Sequence, residues 1–76
     1  MNVEDIYVPV ARRKEMDPEK VELEAEKLLE GAEERPIHVR QSKGKTYLVK
    51  GIHRLEARKA LGEEEIQTHI VRALQH

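Results

Sequence analysis

The chain has no cysteine, no tryptophan and no phenylalanine, and its only aromatic residues besides histidine are Tyr7 and Tyr47. Zero cysteine removes disulfides, thiol catalysis and cysteine-rich zinc sites together. Two tyrosines are too few to announce a base-stacking platform for single strands. Charge of one sign is also lacking: 14 Lys+Arg stand against 15 Asp+Glu, a formal total of −1. That balance argues against strong nonspecific nucleic-acid binding, although a local basic patch can persist within a neutral total. No apolar run approaches transmembrane length, and Met1-Asn2-Val3-Glu4-Asp5 lacks the basic start of a signal peptide. The expectation is a soluble cytoplasmic domain with no membrane partner. What is present is 38% hydrophobic and 38% charged residues in a chain of 76. This implies one domain over residues 1–76, with a small aliphatic core under a densely charged surface.

Ile6-Tyr7-Val8-Pro9-Val10 is β-branched and aromatic and reads as a short strand, with Pro9 confined to an edge or a strand end. Ala11 to Met16 reads as a loop holding the basic run Arg12-Arg13-Lys14. Asp17-Pro18 has the chemistry of a helix start: the carboxylate accepts from unpaired N–H groups, and proline fits the first helical position. The helix is expected from Pro18 to about Glu30, burying Val21, Ala25, Leu28 and Leu29, with Gly31 as its stop. Pro36 to Arg40 alternates apolar and polar residues as a half-buried strand does. Gln41 to Lys45 supplies turn chemistry around Gly44, and Thr46 to Val49 returns as the second arm of a hairpin. A second helix is expected from about His53 to Leu61, ended by Gly62, and a last strand over Ile66 to Val71. The order is β-α-β-β-α-β, an α+β domain with a small mixed sheet, two main helices and a core over about residues 6–71.

The stretch that concentrates chemistry is Gly51-Ile52-His53-Arg54, between a strand and a helix. Glycine permits a tight turn and close approach by another molecule. The helix behind it presents free N–H groups and the positive end of its dipole. An imidazole and a guanidinium at that mouth suit an anion, phosphate above all. The plainer reading makes His53 a local cap and Arg54 a solvated side chain or an ion-pair partner of Glu56 or Glu65. Arg12, Arg13, Lys14 and Lys20 could reach the same anion if the first loop lies beside the turn. His38 and His69 lack a recognisable metal-ligand spacing, so zinc is not expected. Leu23 and Tyr47 are candidates for a homodimer face, with ordinary packing the simpler role.

Three segments in order resemble the ParB/sulfiredoxin superfamily: Val8-Pro9-Val10, Met16-Asp17-Pro18-Glu19-Lys20-Val21, and Gly51-Ile52-His53-Arg54 followed by Leu55, Ala57 and Ala60-Leu61-Gly62. The second is similar to the Leu-Asp-Pro-x-Lys-Val helix start of sulfiredoxins, and the third to the family's Gly-x-His-Arg or Gly-x-Arg-Arg turn. The resemblance spans about residues 6–71. It implies a site for nucleotide phosphates, of ATP as in sulfiredoxins or CTP as in ParB proteins, with Gly51, Ile52 through its backbone, His53, Arg54 and Lys20 around them. Mg²⁺ would be carried by the nucleotide. In the serine-kinase branch a glutamate before the first helix acts as base, which points to Glu15.

The departures narrow this. Sulfiredoxins carry a cysteine where Ile52 stands, and an alkyl group cannot act as a nucleophile, which excludes sulfinic acid reduction by that route. ParB proteins favour arginine at the place of His53 and append a helix-turn-helix that these 76 residues do not contain. Leu23 and Lys27 replace the hydroxyl residues of the sulfiredoxin helix. The leading expectation is a nucleotide-phosphate-binding module. The alternatives are a DNA-associated accessory domain using Arg12, Arg13, Lys14 and Arg54, and a small phosphotransferase or nucleotide hydrolase in which Glu15 or a bound water takes part.

Overall fold

The computed structural model describes residues 1–31 and 35–72. A short 3-10 helix, Val3–Asp5, leads into strand β1 (Ile6–Tyr7) and a single helical turn, α1 (Val10–Arg13). Helix α2 (Pro18–Leu29) follows, then β2 (Ile37–Ser42), β3 (Lys45–Lys50), α3 (Ile52–Ala60) and β4 (Thr68–Ile70). The sheet order is β1-β3-β2-β4. β2 and β3 pair antiparallel, while β1 joins β3 and β4 joins β2 in parallel. This is the expected α+β domain with its small mixed sheet.

The first strand is shorter than Ile6 to Val10 because Pro9 ends it. Pro9 has φ −60° and no N–H, and its carbonyl accepts from the N–H groups of Arg12 and Arg13 at 2.9 and 3.1 Å. The segment expected as loop therefore begins with the turn α1. The last strand is likewise reduced to Thr68–Ile70. Ile66 is turned into the core and its N–H donates to the Met1 carbonyl at 2.9 Å, which removes it from the ladder with β2.

β2 and β3 extend farther toward their turn than alternation suggested, since Ser42 and Lys45 still pair. Only Lys43 and Gly44 remain as the connection, with φ 53° and 77°, the sign that a type I′ turn demands at both places. At the other end the register shifts: His38 pairs Lys50 and Val39 pairs Leu48, so Val49 is an extra residue that bulges β3.

The core consists of Val3, Ile6, Val8, Ile37, Val39, Leu48, Ile52, Leu55 and Ile66. α3 lies on the sheet and buries Ile52, Leu55 and Ala57. α2 packs chiefly on α3 and contains no buried residue. Val21, Ala25 and Leu28 are half-buried, but Leu29 is 74% exposed, so the expected stripe loses its last member. Glu24 takes its place on that side. Among the described residues no helix is long and apolar enough to cross a membrane.

Candidate functional site

Gly51 sets the geometry of the strand–helix turn. It is the N-cap of α3 at φ 109° and ψ 30°, a conformation that side chains oppose. A Cβ there would also stand 2.7 Å from Ile37 Cγ2 and 3.1 Å from Ile37 Cβ. Glycine is thus required twice, once by the backbone angle and once by the close passage of β2. Because the N-cap has no side chain, none caps the first turn of α3, and its leading N–H groups face outward with the positive end of the dipole.

Around this turn lies a cleft of about 270 Å³ lined by Arg12, Glu15, Glu24, Val49, Lys50, Gly51, Ile52, His53 and Arg54. Ile52 is 5% exposed and belongs to the core, so only its backbone is available to a ligand. The half-buried Arg54 donates from Nη1 to the Pro36 carbonyl at 3.1 Å, rather than pairing with Glu56 or Glu65. That bond fixes the guanidinium against the start of β2. Nε and Nη2 retain donors that can address an anion bidentately.

His53 makes a contact that crosses the domain. Its Nε2 accepts a hydrogen bond from the Asp17 backbone N–H at 3.1 Å. The acceptor role assigns the ring proton to Nδ1 in the neutral imidazole. Asp17 is the N-cap of α2, and its carboxylate accepts from the Glu19 N–H at 3.0 Å. One residue therefore caps α2 through its side chain and ties that helix to α3 through its backbone.

The opposite wall is built from α1 and α2. Arg12 Nη1 donates to both Glu15 carboxylate oxygens, at 2.8 and 3.1 Å. Exposure of 40% and 54% for the two side chains keeps this a weak, solvent-screened pair. Glu24 lies 3.6 Å from Lys27 across one helical turn. The cleft is thus lined by Arg12 and Arg54 as well as by Glu15 and Glu24, with Arg54 on the side of the α3 turn and Lys50 adjoining it in sequence.

Of the residues expected at the site, Gly51, Ile52, His53, Arg54, Arg12 and Glu15 line this cleft together. Arg13 lines a separate recess with Tyr7, Lys45 and Lys59. Lys14 and Lys20 are exposed and absent from the lining of the cleft. Lys50, Val49 and Glu24 were not foreseen. Lys50 adjoins Gly51, and Glu24 follows Val21 by three residues and precedes Leu28 by four, so both positions carried a signal.

The model of the ParB N-terminal domain matches residues 1–76. The chain belongs to that family. The crystal structure of sulfiredoxin from Arabidopsis thaliana has a similar fold, with a TM-score of 0.82 and 29% sequence identity. The match covers 96% of this ParB N-terminal domain and 82% of that chain. A comparison with curated protein sequences finds no match. The family and the fold implied by the three sequence segments are therefore those of the chain.

Proposed function

We propose that this ParB N-terminal domain binds the phosphates of a nucleotide in the cleft at the start of α3. The observation that carries the reading is that His53 and the tethered Arg54 line one cleft with an uncapped helix N-terminus at a glycine that admits no side chain. Leading N–H groups, a tethered guanidinium and the His53 Nδ1–H are the donors that a polyphosphate takes up. Among the described residues no three His, Asp or Glu gather as a metal site. A divalent ion would accordingly arrive on the phosphates it neutralises, within reach of Glu15 or Glu24. With Ile52 in the core and no cysteine in the chain, the turn offers no thiol for covalent chemistry.

Titration with ATP, ADP and CTP, each with Mg²⁺, is expected to shift the amide resonances of Gly51 to Leu55 in ¹⁵N NMR spectra. Unmoved resonances at millimolar nucleotide overturn the reading. Arg54→Lys is expected to weaken binding about tenfold, because an ammonium cannot keep both the Pro36 contact and a two-pronged phosphate contact. An unchanged Kd would remove Arg54 from the site.

A further inference from the structure

The chain holds 15 acidic residues, yet none of the four strands contains one. Among the described residues, carboxylates are confined to the helices and connecting segments, so the near-neutral total conceals a segregation of charge. The ladder registers show what the strands carry instead. Ile6, Ile37, Val39 and Leu48 are buried toward the helices. Alternation then sends their neighbours to the far side of the sheet. There Tyr7 lies beside Tyr47, Tyr47 opposite Arg40, Lys45 opposite Ser42, and His38 beside His69. Tyr7, Arg40, Lys45 and His69 are exposed, and Tyr47 and His38 are half-buried.

The rings on this face meet in two pairs. Tyr7 and Tyr47 make an edge-to-face contact with centroids 5.6 Å apart and an interplanar angle of 83°. His38 and His69 stand 5.3 Å apart, tilted by 53°. Three interstrand steps of about 4.8 Å set the pairs across roughly 14 Å of sheet, with Arg40 between them. Too few in the sequence to suggest a stacking surface, the two tyrosines become one when the fold adds two imidazoles and two cations to the same face.

We propose that the face of the sheet away from the helices binds single-stranded nucleic acid. Bases stack on the tyrosine and histidine rings, and phosphates pair with Arg40 and Lys45. The partner follows from the chemistry: aromatic faces recognise unstacked bases and cations recognise phosphates, and the strands themselves carry no carboxylate, Glu4 and Asp5 lying at the rim beside Tyr7 and Lys45. An acidic peptide would use the cations and leave the rings idle. A duplex keeps its base faces closed.

The test is fluorescence anisotropy of a labelled oligothymidylate of about ten nucleotides with the full chain, at a salt concentration of about 20 mM. Saturable binding is expected, as is binding of an oligouridylate of equal length, because DNA and RNA share the features used. Arg40→Gln should weaken binding about fivefold and lower the slope of log affinity against log salt by about one. Tyr7→Ala should weaken binding about fivefold or more. Both side chains are exposed, and unchanged circular dichroism identifies a folded variant. No binding, equal binding of a duplex, displacement by polyglutamate at matched charge, or full affinity in folded Tyr7→Ala would each overturn the proposal. Nucleotide shifts at the α3 turn are read on other residues, so either proposal can fail without the other.

Discussion

The two walls of the cleft are made differently. One is α3, nine residues that bury Ile52, Leu55 and Ala57 and begin at a glycine pressed against β2. The other is α1 with α2, sixteen helical residues (four and twelve) of which none is buried. Helix length and capping do not separate them: α2 is longer, starts with Asp17-Pro18 and has a side-chain cap that α3 lacks. The difference is what each helix rests on. α3 rests on the sheet, whereas α2 rests mostly on α3. A helix held by tertiary burial is anchored more firmly than one held by its own ends. The donors expected to grip phosphate therefore stand on the fixed wall, and Arg12, Glu15 and Glu24 on the adjustable one.

The contrast is broken most strongly by emptying one wall. Leu55→Ala removes a fully buried side chain and should cost about 3 kcal/mol or more. Leu29→Ala, on a residue 74% exposed, should stay within about 0.5 kcal/mol. Urea denaturation of the two variants measures both, and equal losses would deny the asymmetry.

A smaller effect separates two glycines at the ends of α3. Gly51→Ala meets both the left-handed backbone and Ile37, and should cost about 2 kcal/mol or more. Gly62→Ala has φ +76° but open space, and should cost about 1 kcal/mol. If the two melt alike, the approach of Ile37 is not a constraint.

The smallest expected effect tests the tie between the walls. His53→Ala leaves the Asp17 N–H without its acceptor and should cost about 1 kcal/mol. Amide exchange should quicken through the first turn of α2 while the middle of α3, around Leu55 and Ala57, keeps its protection. Faster exchange spread evenly over both helices would show that the bond holds more than α2 in place.

Much of this arrangement was legible in the residues. Asp17-Pro18 marked the start of α2 because its chemistry is local, and Gly51 before a helix former marked the turn for the same reason. Val8-Pro9-Val10 misled because β-branched composition concealed the ability of Pro9 to start a helical turn. Leu29 looked buried by spacing, but helical spacing gives a face without saying how far its neighbour extends. The bonds from Asp17 to His53 and from Arg54 to Pro36 join positions 36 and 18 residues apart, and nothing local encodes them. The meeting of Tyr7 with Tyr47 waits on a parallel pairing that composition cannot express.

The two outer strands, β1 and β4, have two and three residues, while the inner hairpin strands have six each. An unpaired strand edge is a template on which another chain can grow, and its hazard rises with length. Here β1 covers only Thr46 and Tyr47 of β3, and β4 only Ile37 to Val39 of β2, so each outermost strand is a stub that offers a passing copy two or three residues to grip. Short outer strands of this kind leave a second copy little continuous edge at either side of the sheet along which to polymerise.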